Sequence, residues 1–239
     1  VTAESQAIAK VAVITPYHRE GLELLEQCHR SVKAQTMACR HVLVADGHPQ
    51  AELQGWGIDH VLLPTSHDDI GSTPRLIGSY HAIGLGVDAV AFLDADNWYE
   101  PHHIEQMMVC REQSGAAFVS SSRLLCRLDG SPIGPCPITD PDCFIDTSCM
   151  LFGREAFHLL HHWALMPPYA HLIGDRVMLH HVRESGLNRK HLNDPSVCYR
   201  CGKEGLYRQM GEVIPPGVQP MPNYEAAFRQ WQQDGYPPL

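Results

Sequence analysis

In the first half of the chain, apolar residues come in short β-branched runs that alternate with stretches of helical spacing. Residues 10–15 form the first run, closed by Pro16, and predict a strand. Leu22, Leu25, Cys28 and Val32 then recur on one face, predicting a helix over about 21–35. A second strand is expected at 41–45, ended by the turn pair Asp46-Gly47, and a third at 60–63, stopped by Pro64. Pro74 suits the opening of a helix, since its missing N–H costs nothing in a first turn. Residues 89–93 predict a fourth strand, about 101–113 a helix and 116–120 a fifth strand. Near-continuous apolar strands alternating with helices mark a mainly parallel sheet covered on both faces.

The second half is less regular. Residues 122–142 are rich in Pro, Gly, Cys and Asp and predict a long functional loop. A strand is expected around 148–152, with helices near 154–163 and 175–185. Four prolines in 215–222 exclude regular helix or central strand there, and a short amphipathic helix is expected over about 224–233. No linker is visible, so the 239 residues are read as one α/β domain. Within it, about 10–121 form a nucleotide-binding half and about 122–214 an acceptor-binding half. Residues 215–239 are a Pro-rich tail, 215–222 read as irregular chain, with the short helix docking the end of the chain, while 163–168 are read as ordinary core.

Composition narrows the function. Lys and Arg total 18 against 27 Asp and Glu, a net charge of −9, which argues against binding nucleic acid through its phosphates. Mean hydropathy is −0.20, and no apolar run approaches the roughly 18–20 residues of a bilayer span, so no transmembrane segment is expected. The first twelve residues lack a charged start followed by a signal core. The nine cysteines are odd in number and scattered, which suggests reduced thiols and a cytoplasmic setting, with work at a membrane surface left open. The pair Cys198 and Cys201 has the C-x-x-C spacing, but a zinc site needs two more ligands, and ordinary thiols are preferred.

Ligands of open α/β sheets lie beyond the carboxyl ends of the strands. Three of the four front strands end in suggestive residues there: Thr15-Pro16-Tyr17, Asp46, and Asp94-Ala95-Asp96-Asn97. Asp94 and Asp96 are two apart, so in extended chain their carboxylates share a side and invite a hard cation, Mg²⁺ or Mn²⁺, bridging to a diphosphate. The competing reading is that one caps the strand end and the other the following helix. Asp175 precedes the apolar-periodic Val177, Met178, Leu179 and Val182, so it is expected near a helix N-terminus, as cap or as catalytic base.

The segments Val13-Ile14-Thr15-Pro16-Tyr17, Ser31-Val32-Lys33-Ala34-Gln35-Thr36, Val44-Ala45-Asp46-Gly47 and Phe92-Leu93-Asp94-Ala95-Asp96 resemble, in order and spacing, family 2 glycosyltransferases of the GT-A fold. The run 146–152 with Arg154-Glu155-Ala156-Phe157 resembles the acceptor-side strand and helix of that family. Gly174-Asp175 resembles its catalytic motif, with Gly where Glu is common. The resemblance covers about 10–185 and implies a Rossmann-like mixed, mainly parallel sheet flanked by helices. It implies inverting transfer from a nucleoside diphosphate sugar, UDP-linked, to an acceptor hydroxyl. Thr15, Pro16, Tyr17, Asp46, Arg75, Asp94 and Ala95 would bind the nucleotide, with Tyr17 stacking on the base and Asp46 accepting from a uracil N–H. Asp96, with Asp94, would hold Mn²⁺ or Mg²⁺, and Asp175 would be the general base. A late His often completes the metal shell in similar enzymes, and His180, His181 and His191 are candidates. The acceptor, a glycan, a lipid-linked molecule or a small molecule, is not readable. Two other functions remain. Sugar nucleotidyl transfer usually places a Gly-rich phosphate loop after the first strand, where this chain has no glycine before Gly21. The other is a non-catalytic module that binds nucleotide sugars or is stapled by zinc.

Overall fold

A computed structural model describes residues 10–239; residues 1–9, most of the stretch expected to lack a signal core, lie outside them. Four parallel strands form the front of the sheet: β1 (Val11–Tyr17), β2 (Cys39–Asp46), β3 (Asp59–Leu63) and β4 (Ala89–Phe92). The four match the expected strands to within two residues. Helix α1 (Leu22–Lys33) follows β1 and buries Leu25, Cys28, His29 and Val32, the stripe its periodicity announced. Helix α2 (Ser72–Gly84) precedes β4; Pro74 sits in its first turn, two residues after the start. Gly78 is what lets α2 lie so close to the sheet. A Cβ there would stand 2.6 Å from Ile14 Cγ2 and 2.7 Å from Val44 Cγ2.

Past β4 the short strand β5 (Trp98–Tyr99), helix α3 (His103–Ser114), strands β6 (Phe118–Cys126), β7 (Pro132–Pro135) and β8 (Met150–Gly153) follow. Then come α4 (His162–Leu165), α5 (Gly174–Glu184), β9 (Arg189–Arg200), α6 (Glu204–Met210) and α7 (Tyr224–Gln233). The sheet order is β3-β2-β1-β4-β8-β6-β9-β5, with β7 paired to β6. Strand β8 is antiparallel to both β4 and β6, and β6 runs parallel to β9, so the sheet is mixed. One continuous core of Val13, Ile14, Phe92, Phe118, Phe152, Trp163 and Val177 spans front and back halves. No helix among the described residues is long and apolar enough to cross a membrane.

Three expectations for the back half need correction. The loop expected from residue 122 begins later, because β6 continues to Cys126 and β7 turns back along it. Ser120, Ser121 and Arg123 hid this strand by their polarity, yet all three are buried. Strand β9 was not expected at all. Its Arg-Lys-His-Leu-Asn-Asp-Pro sequence has no apolar pattern, and its ladder with β6 shifts register around Ser122. The helix expected over 154–163 is mostly a 3₁₀ stretch, Arg154–His161, running into α4.

Candidate active site

The carboxyl ends of β1, β2 and β4 open into a cleft of about 430 Å³ lined by Pro16, Tyr17, Asp46, Arg75, Asp94, Ala95 and Asp96. Seven of the expected binding residues therefore meet in one place, although they come from four separate segments. His18, Glu20 and the loop 66–71 line it too, and nothing in their sequence marked them beforehand.

The loop is built around Asp46. Its carboxylate accepts from the His67 amide (3.2 Å), from His67 Nδ1 (2.7 Å) and from Ser66 Oγ (3.4 Å). Asp68, Ile70 and Gly71 all have positive φ, at 50°, 55° and 79°. For β-branched Ile70 that conformation is costly and persists only where the surroundings impose it. Two contacts do so. Asp69 caps α2 through the Thr73 amide (2.7 Å), and the Ile70 carbonyl accepts from Arg75 Nη1 (2.8 Å). Gly71 packs on Pro16, where a Cβ would stand 3.1 Å from Pro16 Cγ.

Arg75 is buried in the first turn of α2 and donates through Nη2 to Asp94 Oδ1 at 2.5 Å. Its Nε is buried without a partner. Asp94 is tied to the back half, since its amide donates to Ser148 Oγ (3.2 Å). Asp96 differs from its neighbour. Among the described residues its carboxylate makes no salt bridge and no hydrogen bond to another side chain. Burial, with the charge of Asp94 adding to it, pushes its pKa up to about 7. Neither Asp94 nor Asp96 caps a helix, for α3 starts only at His103.

Two expectations at the cleft are corrected. Thr15 does not reach it: the side chain is fully buried, facing His41 Nε2 (3.0 Å) and Cys28 Sγ (3.6 Å) beneath α1. Alternation along β1 puts Thr15 on the opposite face from Pro16. Tyr17 cannot offer its ring to a base. The ring is 2% exposed among Leu25, Leu43 and Leu53, stacks on His60, and its hydroxyl meets His60 Nε2 (2.8 Å) and the Gln50 amide (3.1 Å).

Asp175 lies elsewhere. It opens α5 and lines a second cavity of about 330 Å³ that shares no lining residue with the first. The 3₁₀ turn Thr147–Cys149 joins the two. Asp146 caps it by accepting from the Ser148 amide (3.0 Å) and pairs with buried Arg123 on the second cavity's side, while Ser148 holds Asp94 and Asn97 on the first. Burial pushes Asp175 up to about 6, with the Asp146 charge adding to the effect. The Pro-rich stretch 215–222 was expected to be plain irregular chain, but its Met221 forms part of this cavity's wall, together with Tyr224 and Phe228 of the expected terminal helix. Arg123, Asp146 and Tyr199 line it as well. Nothing in the sequence pointed to Arg123, because the strand that carries it was read as loop from residue 122.

None of the three candidates His180, His181 and His191 lines the cleft of Asp94 and Asp96. His191 hydrogen-bonds Ser120 (2.9 Å) and Ser122 (3.2 Å), and His181 stacks on His162 at 3.5 Å between ring centroids. No group of three His, Cys, Asp or Glu among the described residues is arranged to hold a metal. Cys198 Sγ donates to Glu100 (3.3 Å), and Cys201 is buried with Leu125, Leu206 and Tyr207.

No protein-family model and no curated protein sequence matches this chain. Solved structures do. S. aureus TarS 1–349 in complex with UDP superposes with a TM-score of 0.61 at 13% identity, covering 84% of this chain and 63% of that one. The UDP-GlcNAc complex of TarS 1–349 gives 0.60 at 13% identity, covering 86% of this chain and 62% of that one. A longer TarS structure gives 0.60 at 14% identity, covering 83% of this chain and 38% of that one. The chain thus spans less than two thirds of the TarS chains it matches. At such identity the likeness concerns the fold, and with the mixed sheet and its edge cleft it makes this a single domain of the GT-A, Rossmann-like glycosyltransferase fold.

Proposed function

We propose that this chain is a family 2-type inverting glycosyltransferase that moves a sugar from a nucleoside diphosphate sugar, UDP-linked, to an acceptor hydroxyl. The observation that carries this reading is the meeting of Asp46, Arg75, Asp94 and Asp96 in one cleft at the strand ends. The fold it shares with a protein captured with UDP and with UDP-GlcNAc supports the choice of ligand.

In this reading the base lies beside Asp46, whose carboxylate would accept a ring N–H in place of one of its contacts to Ser66 and His67. Pro16, Tyr17 and Ala95 contribute the floor of the cleft. Arg75 brings a permanent charge to the place a diphosphate would occupy, and its pairing with Asp94 fixes the guanidinium in advance.

The donor set fits Mn²⁺ or Mg²⁺. Among the described residues Asp96 forms no salt bridge and Asp94 pairs through one oxygen only, and such ions are commonly held by one or two carboxylates with water and phosphate oxygens completing the shell. When bound there, the ion would act as a Lewis acid on the departing diphosphate. Asp175 accepts the proton of the attacking hydroxyl, and a pKa near 6 leaves it ionised at neutral pH yet basic enough for the task. One base and a single displacement give inversion. The setting we infer is cytoplasmic, including the surface of a membrane for a lipid-linked acceptor.

Calorimetric titration of UDP, GDP and CDP, each with Mn²⁺ and with EDTA, tests this. Metal-dependent binding of UDP is the expected result. Preference for GDP overturns the uridine assignment, and binding of none of the three removes the transferase reading in favour of an interaction module.

A further inference from the structure

The second cavity is more basic than a chain of net charge −9 would suggest. Three cations line it, Arg123, Arg176 and Lys203, against two carboxylates, Asp146 and Asp175. Arg123 is committed to Asp146, although its buried Nε is left without a partner. Arg176 and Lys203 form no ion pair among the described residues. Both are nonetheless held in place, and by neutral groups. Arg176 donates to the Cys143 carbonyl (3.0 Å), and its guanidinium lies 4.5 Å over Phe144 and 5.4 Å from the Phe228 ring. Lys203 donates to the Gln219 side-chain carbonyl. Neutral partners orient these two cations, and the carboxylate nearest Arg176 on this wall is that of Asp175, which its charge favours in the ionised form.

The donor's diphosphate is not what they await, because the two cavities share no lining residue. The rest of the wall is aromatic. Tyr199, Tyr224 and Phe228 line it, and aromatic side chains suit the C–H face of a sugar or polyol. Asp175 stands on the same wall. We propose that this cavity binds an acceptor carrying an anionic group, a phosphate or a carboxylate, close to the hydroxyl that is glycosylated. Arg176 and Lys203 take the anion, and the tail residues Tyr224 and Phe228 take the apolar face. The inference rests on the reading of Asp175 as the base for its use of the word acceptor, but the anion site itself stands on the second cavity alone.

The test is calorimetric titration of the whole chain with glycerol 3-phosphate and with glucuronate, beside neutral glycerol and glucose, and with UDP and Mn²⁺ in parallel. The expected result is saturable binding of at least one anionic probe, with the neutral probes at least about tenfold weaker, a gap of about 1.4 kcal/mol. Tighter binding of glycerol 3-phosphate assigns a phosphate, and tighter binding of glucuronate a carboxylate. Lys203→Met and Arg176→Met are each expected to weaken the anionic probe at least about tenfold, and Arg176→Lys to retain part of the affinity. Anionic and neutral probes binding alike, no anionic binding at all, or full affinity in both methionine variants would each overturn the proposal. UDP binding separates the two readings. Its loss in the parent protein sinks the transferase function, whereas the anion titration decides this site by itself.

Discussion

His103 should make the protein sensitive to acid, by an amount that its burial sets. The ring is 1% exposed, stacks on Tyr99 at 4.0 Å and hydrogen-bonds Ser196 Oγ at 2.8 Å. Burial lowers its pKa to about 3. The native state therefore keeps the ring neutral, while the unfolded chain, with a pKa of about 6.5, takes up a proton as the pH falls. A group depressed in this way contributes stability that is present at high pH and lost as the pH drops below the unfolded value. Between pH 7 and pH 5 the unfolded state gains about 2 kcal/mol for this one residue, whatever the native value is below about 4. That is a sizeable part of a typical margin of about 5–15 kcal/mol. His41, 3% exposed and also held at about 3 by burial and by the neighbouring His29, adds a similar loss. Urea denaturation at pH 7, 6 and 5 measures the effect. Replacing His103 by Gln should lower stability at pH 7 through the lost packing, yet shrink the fall between pH 7 and pH 5 by about 2 kcal/mol. A His103→Gln variant that loses as much stability between those pH values as its parent would refute the reasoning.

Other outcomes follow from the sites. Asp175→Asn should lower kcat about 10²–10⁴-fold with UDP affinity unchanged, and in the parent the rate should fall as the pH drops below about 6, where the carboxyl is protonated; normal turnover in the variant removes Asp175 as the base. Asp96→Ala should abolish most of the metal enhancement of UDP binding, at least about tenfold, as read by titration with and without EDTA. Gly78→Ala gains about 1 kcal/mol of helix propensity but drives a methyl against Ile14 and Val44 at 2.6 and 2.7 Å. Overpacking at about 1–3 kcal/mol should win, giving a lower denaturation midpoint, and an unchanged midpoint would mean that α2 can shift outward freely.

Much of the front half can be read from the chain because its elements are decided locally. A run such as 11–14 is apolar on both faces and has no alternative to a buried strand, and Pro64 and Asp46-Gly47 end their strands by backbone chemistry alone. The loop ends of parallel strands then bring Asp46, Asp94 and Asp96 to one edge, so most of the cleft was legible too.

What the chain did not disclose depends on partners distant in sequence. Strand β9 is extended because β6 supplies its hydrogen bonds, not because its polar residues favour a sheet. Thr15 and Tyr17 sit at the expected strand end, but helix α1 covers one and a cluster around Leu53 engulfs the other. Which of several polar residues at a strand end faces a ligand is set by the face each strand presents, a choice made when helices pack. The second cavity exists only because segments as far apart as Arg123, Asp175 and Phe228 close around the same space. The sequence by itself determined the parallel half of the sheet and the carboxylates at its edge; tertiary packing decided which side chains meet there and which remain free to bind.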